Sequence, residues 1–235
     1  MRINKFLAEC GLASRRASEK LIQDGLVKIN GIRAELGSDV DPQADTVTVS
    51  GRKVSLPRKH TYIVFHKPKG CVTTASDDKG RKTIFDFVRL ENVRLFPVGR
   101  LDYDTEGLLL LTNDGEICNK LMHPSNHIGK TYVAKVEGEL TQDDVKALLD
   151  GVELDDGEAE ASRVRVLEVK DGLSKVEITI FEGRNRQIKR MFESIGKNVV
   201  FLKRTKVGEI RLGGLPRGDY RYLNEREMKY LRELD

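Results

Sequence analysis

The sequence predicts an α+β fold in two parts, a small basic module followed by a larger one built on a mainly antiparallel mixed sheet. Three observations carry this. Charge is unevenly placed: residues 1–60 hold 11 basic and 7 acidic residues, whereas residues 61–235 hold 30 of each, so the whole net charge of +4 lies in the first quarter. Pro57-Arg58-Lys59-His60 is polar, basic and broken by proline, which reads as a linker. Beyond it, strand-like runs dominate and do not alternate strictly with helical ones, which argues against a doubly wound sheet. The expected domains are therefore residues 1–56 and 61–235, joined by 57–60.

In the basic module, Ile3, Phe6, Leu7 and Cys10 recur at helical spacing and Gly11 ends the turn. Ser14 is a good N-cap for a second helix carrying Ala17, Leu21 and Ile22 inward, with Gly25 as C-cap. Asn30-Gly31 lies between Val27-Lys28-Ile29 and Ile32-Arg33. Both turn positions demand positive φ, so the pair predicts a hairpin. Val47-Thr48-Val49 reads as a further strand, closed by a Ser50-Gly51 turn. This arrangement presents Lys5, Arg15, Arg16, Lys20, Lys28 and Arg33 as a phosphate-binding face, built from helix N-termini and cationic side chains.

The larger module opens with the apolar run Tyr62-Ile63-Val64-Phe65, a turn at Lys67-Pro68-Lys69-Gly70 and a second strand at 71–74. Leu108 to Leu111 are four leucines between Gly107 and Thr112, which suits a strand buried on both faces. The preceding loop, Gly99-Arg100-Leu101-Asp102-Tyr103-Asp104-Thr105-Glu106, holds three carboxylates against that rigid strand, a placement suited to a site. Asp104 is expected to cap this loop through backbone amides. Residues 131–136 alternate with period two. Thr141 caps a helix that turns Val145, Leu148 and Leu149 inward. Residues 163–169 and 174–181 form two strands around a Lys170-Asp171-Gly172 turn. Glu182 opens a helix with Ile188, Met191, Phe192 and Ile195 inward, and strands at 198–204 and 207–212 follow. Asn224 caps a last helix, with Glu227 as its capping-box partner.

Composition excludes several classes. With 39% hydrophobic residues the chain can fill a core, so it is no acidic disordered tail. No apolar run approaches the roughly 20 residues of a membrane helix, and the charged start carries no signal peptide. Cys10, Cys71 and Cys118 are odd in number and far apart, which points to a reducing cytoplasm without disulfides. Cys118, His123 and His127 lack the partners of a metal set.

Two resemblances rest on specific motifs. F-L-A…G-L-A-S-R-R-A…I-Q-D-G-L-V-K-I-N-G, within residues 2–31, resembles the alpha-L RNA-binding domain first seen in a ribosomal small-subunit protein. G-R-L-D-Y-D-T-E-G-L-L-L-L-T-N-D-G, with H-K-P-K-G at 66–70, K-T-Y-V-A at 130–134 and E-G-R-N-R-Q-I-K-R-M-F at 182–192, resembles the ribosomal RNA pseudouridine synthases that carry such a domain. The family isomerises uridine to pseudouridine within RNA, with no cofactor and no metal. The resemblance implies that Asp102 is the catalytic carboxylate and that Tyr132 packs on the target base. It implies further that Lys189 pairs with the carboxylate, where related branches use arginine, and that Arg100 helps open the helix or hold the flipped nucleotide. Arg100, Arg184, Arg186, Lys189 and Arg190 are expected to converge on one cleft around Asp102, with Arg184, Arg186 and Arg190 contacting RNA. His66 is taken as a surface or fold position.

The chemistry suits these types. A carboxylate can attack or stabilise the sugar when the glycosidic bond breaks. A base must leave the stack to be reached, and a tyrosine face replaces part of that stacking. L-M-H-P-S at 121–125, G-L-P-R-G at 214–218 and the Y-L-R-E-L ending resemble the large-subunit branch. The expected substrate is therefore 23S rRNA, with 16S rRNA as the alternative, met by a cytoplasmic monomer, in an assembling ribosome. A non-catalytic ribosome-assembly RNA-binding protein and an RNA glycosidase are the competing classes.

Overall fold

The computed structural model describes residues 1–91 and 93–234. It divides into two compact units. The first comprises Met1–Thr61 with Leu90–Phe96 and Thr112–Gly115; the second comprises Tyr62–Arg89, Pro97–Leu111 and Glu116–Asp235. Two short segments from beyond the linker are thus counted with the first unit. Inside that unit, Arg94 donates to Ala13 O at 3.0 Å and Thr61 N to Asn113 Oδ1 at 2.7 Å.

The first unit packs helices α1 (Ile3–Glu9) and α2 (Arg15–Gln23) with a four-stranded sheet of β1 (Val27–Ile29), β2 (Ile32–Arg33), β3 (Val47–Val49) and β4 (Arg52–Val54), in the order β2-β1-β3-β4. Ser14 Oγ accepts from Ala17 N, which satisfies one of the free amides at the start of α2. The hairpin forms because Asn30 (φ 51°) and Gly31 (φ 84°) both enter the left-handed region. The sequence expectation for α2 needs one correction. Ala17 is exposed, and Ser18 takes the inward position beside Ile22. Ile3, Phe6, Leu7, Ile22, Val27 and Val47 form the core.

The second unit holds β5 (Tyr62–Lys67), β6 (Phe96–Pro97), β7 (Glu106–Thr112), α3 (Gly115–Met122), β8 (Lys130–Glu137), α4 (Gln142–Asp150), β9 (Arg163–Lys170), β10 (Leu173–Ile180), α5 (Gln187–Ser194), β11 (Val199–Val207), β12 (Ile210–Arg211), β13 (Tyr220–Tyr222) and α6 (Glu225–Arg232). The sheet runs β13-β5-β7-β11-β8-β10-β9, with β12 on β11 and β6 on β7. The β11–β8, β8–β10, β10–β9 and β13–β5 pairs are antiparallel, while β7 and β11 are parallel. Every residue of β7 is buried, as four leucines between turn residues require.

Three local expectations fail for identifiable reasons, and a fourth holds with other bounds. Residues 71–74 make only an isolated bridge, Val72 to Thr83, because the chain there is tied to the loop that precedes β7, through Thr73 Oγ1 and Leu101 O, instead of joining the sheet. The two strands expected around 198–204 and 207–212 form as β11 and β12, with shifted bounds: β11 runs on to Val207, and β12 is the short return Ile210–Arg211 paired on it. Leu149 is exposed, since only Leu148 of that pair faces inward from α4. Helix α5 begins at Gln187, not at Glu182, because Arg186 holds a left-handed conformation (φ 49°) that a helix cannot continue.

Gly107 fixes the spacing of β7 and β11. Its φ is +116°, and a Cβ there would stand 2.2 Å from Arg204 O. Gly107→Ala is expected to cost about 3 kcal/mol or more through overlap and backbone strain. Its thermal unfolding midpoint should fall by about 6–12 °C. An unchanged midpoint by calorimetry would show that the two strands can part freely.

Candidate active site

Asp102 lies in the loop between β6 and β7, and the main chain of that loop is held at many points. Lys67, the last residue of β5, is completely buried. Its ammonium donates to Asp102 O at 2.9 Å, Thr105 O at 3.0 Å and Pro68 O at 3.1 Å. Thr73 Oγ1 donates to Leu101 O at 2.8 Å, and Gly70 N donates to Tyr103 O at 2.8 Å. The H-K-P-K-G stretch is therefore a clamp on the loop. Burial pushes the Lys67 ammonium below its usual pKa, and Cys71, Asp102 and Asp104 oppose this. Sequence reading gave Lys67 only a turn. Its spacing from a charged loop was visible, but its burial was not.

His66 is a buried fold position and not a surface one. Its Nδ1 lies 2.7 Å from Leu215 O, and burial pushes its pKa down. Glu106, at the far end of the loop, is buried and takes Arg217 Nε at 3.0 Å.

The carboxylate of Asp102 is half-buried and forms no ion pair or side-chain hydrogen bond among the described residues. It opens on a cleft of about 580 Å³ whose wall includes Arg100, Tyr132, Leu202, Arg204 and Arg186. Tyr132 is buried, and the register β7–β11–β8 explains its place: Arg204 of β11 sits opposite Gly107 on one side and Tyr132 on the other. Arg204 Nε donates to Leu108 O at 2.8 Å. Lys130, at the start of β8, also lines the cleft and donates to Phe181 O at 2.6 Å. Arg204 and Lys130 escaped the sequence reading. Both sit in strands, where alternation decides which way a cation faces, and only the register reveals it.

The expected convergence of cations on Asp102 is partly corrected. Lys189 Nζ is 2.5 Å from Asp104 Oδ2, so the nearby carboxylate it pairs with is Asp104, not Asp102. Arg186 joins it at 3.6 Å. Asp104 is thus the ion-pair centre between loop and α5, in place of the backbone cap expected for it. Partial burial opposes its ionisation, but Lys189 and Arg186 outweigh this and hold its carboxyl below the usual range. Arg190 faces away, in a paired contact with Asp156 at 2.8 and 2.9 Å. Arg184 lines the cleft, yet it is engaged by Glu182 at 2.9 Å and by the carbonyls of Gly157 and Glu158. Arg100 lines the cleft and is exposed.

In the first unit, Arg15, Arg16, Lys20 and Lys28 are exposed. Arg33 is exposed too but donates to Gln23 O at 3.0 Å beneath Gly25. Lys5 is half-buried and pairs with Glu9 at 3.6 Å. Of the six cations predicted for this face, the four left outward and unpaired among the described residues lie on α2 and β1; Arg52 and Lys53 of β4 are exposed as well. Among the described residues, no group of three His, Cys, Asp or Glu side chains is gathered to hold a metal, and no helix is long and apolar enough to cross a membrane. His123 lies 2.7 Å from Ser125 Oγ, and His127 meets the Phe181 ring at 5.8 Å.

Residues 61–194 match the model of the RNA pseudouridylate synthase family, and residues 1–45 match that of the S4 domain. The chain is 46% identical over 236 residues to the ribosomal large subunit pseudouridine synthase B of Bacillus subtilis, covering 99% of this chain and 96% of that one. It is 40% identical to the protein of the same name in Vibrio vulnificus, covering 99% of this chain and 75% of that one. A crystal structure of a pseudouridylate synthase superposes with a TM-score of 0.70 at 33% identity, over 98% of this chain and 99% of that one.

Proposed function

The chain belongs to the RNA pseudouridylate synthase family, an assignment carried by residues 61–194, and from that premise we propose that it isomerises one uridine of 23S rRNA to pseudouridine. The choice of the large subunit is supported by the relatives named for it in Bacillus subtilis and Vibrio vulnificus. The protein acts as a cytoplasmic monomer on ribosomal RNA or an assembly intermediate.

The observation that carries the reading is the half-buried Asp102, on a main chain pinned by Lys67 and lining, together with Tyr132, a cleft of about 580 Å³. Asp102 attacks or stabilises the sugar as the bond from N1 of uracil breaks. The freed uracil turns against the Tyr132 face, and the bond from its carbon 5 to the sugar closes. The proton on that carbon leaves and N1 gains one, so the product has the mass of the substrate. Arg100, exposed at the rim, holds the displaced strand. Lys189 acts through Asp104: it ties the start of α5 to the Asp102 loop and keeps the cleft walls in register.

The deciding experiment maps pseudouridines in rRNA from a deletion strain and its complemented partner. Loss at one 23S position supports the proposal, whereas loss only in 16S rRNA moves it to the small subunit. No loss anywhere would leave a non-catalytic assembly protein, and release of free uracil in vitro would mark a glycosidase.

The outward cations of α2 dock RNA through its phosphates. A triple Arg15→Gln, Arg16→Gln, Lys20→Gln variant should bind rRNA more weakly. The slope of log K against log salt should fall by about 2 to 3, since each lost phosphate contact removes about 0.7–0.9. Anisotropy titrations across a salt series read this directly, and an unchanged slope would refute the docking role.

A further inference from the structure

Three cations that line the cleft, Arg100, Lys130 and Arg204, form no ion pair among the described residues; Arg100 is exposed to water, whereas Lys130 and Arg204 are not. Lys189 and Arg186 have Asp104, Arg190 has Asp156, Arg184 has Glu182, and Lys67 is engaged by three carbonyls. Arg204 is only 6% exposed, yet neither it nor Lys130 forms an ion pair among the described residues. Arg204 is also fixed in place. Its main chain abuts Gly107, and its Nε is tied to Leu108 O, which leaves its two terminal nitrogens as donors toward the cleft.

A buried guanidinium without a counter-charge is unfavourable, and a second cation beside it adds to the cost. Lys130 registers this: burial and the Arg204 charge both push its pKa down, and only Glu182 opposes them. Glu182 is itself occupied, by Arg184 at 2.9 Å and by Gln187 at 2.7 Å. No carboxylate among the described residues is ion-paired with Arg204 or Lys130, Asp102 in the same cleft included, so both cations remain open to an anion that arrives with the ligand. An RNA ligand brings one anion per nucleotide, in its phosphodiester.

We infer that Arg204 and Lys130 form the seat for a phosphodiester flanking the nucleotide that enters the cleft. This deepens the proposed function and rests on it. The seat reads backbone and not base. It places the flipped nucleotide at a set depth, so that its sugar meets Asp102 and its base meets Tyr132. Arginine suits the position because its planar fork binds two phosphate oxygens at once.

The test uses the full-length protein and a synthetic 23S rRNA fragment spanning its mapped target. Turnover by the wild type on the unmodified fragment is measured first. No product there, or from any rRNA, would overturn the substrate class and the seat with it. Neutral methylphosphonate linkages are then placed on the 5′ or the 3′ side of the target, one at a time. Arg204→Gln should lower kcat/KM on native RNA by about 10- to 100-fold, the scale of a charge-assisted hydrogen bond. A methylphosphonate on one side should cause a similar loss in the wild type, and the two changes together should cost little more than either alone. Multiplying losses at both linkages would show that Arg204 does not touch phosphate and would overturn the inference. Should Arg204→Gln unfold, Arg204→Lys and Lys130→Gln complete the same cycle, with the same two readings.

Discussion

Asp102→Asn is expected to abolish pseudouridine formation while RNA binding persists. The substitution keeps the shape of the side chain and removes only its charge and nucleophilicity. Asp102 makes no ion pair among the described residues, and the loop is held by main-chain contacts to Lys67, Thr73 and Gly70. The fold therefore loses nothing that it depends on. Turnover should drop on the order of 10⁴-fold or more, the scale seen when a single catalytic side chain is removed. Binding to rRNA should change less than about threefold, because phosphates dominate affinity. Tritium release from carbon-5-labelled uridine in RNA, read beside anisotropy binding, separates the two. Normal turnover in this variant would sink the catalytic assignment, and joint loss of binding and activity would point to misfolding.

Lys67→Met should damage both stability and activity. Methionine fills a similar volume but supplies no donors, so the carbonyls of Pro68, Asp102 and Thr105 lose their partner. Each buried carbonyl left unpaired costs about 1–3 kcal/mol. A loss near 3 kcal/mol is expected after relaxation, with the unfolding midpoint lower by about 6–12 °C. Assayed well below that midpoint, the variant should still bind RNA, yet turn over at least about 100-fold more slowly, because an ångström of drift at the nucleophile is costly. Full activity in folded Lys67→Met would show that the loop holds its shape without the clamp.

Much of the fold could be read in advance because its signals are local. Asn30-Gly31, Ser14, Thr141 and Asn224 act on their own few residues, and each turn or cap forms where the chemistry places it. The strand at 108–111 announced itself by composition. What escaped depends on partners far along the chain. Residues 71–74 have strand-like composition but serve the loop 28 positions on. Arg204 gains its meaning from strands that begin near residues 106 and 130. The site shows the same division. Asp102 and Tyr132 stand out through motif, and both line the cleft. The pairing of Lys189 depends on which of two acids, two residues apart, faces α5, and periodicity does not decide that inside a loop.

Gly107 shows that the first motif records two separate demands. Under the proposed mechanism Asp102 answers to the reaction, while Gly107 answers to the distance between two parallel strands. A lineage that ceased to need the reaction could drop the first and would still be bound to keep the second. Its descendants would share the glycine, the leucine strand and the RNA-binding module, and would look like enzymes to any comparison of overall shape. The step from modifying enzyme to inert RNA scaffold is one substitution long. Among relatives of this fold, the residue at the Asp102 position therefore says more about activity than similarity across the rest of the chain.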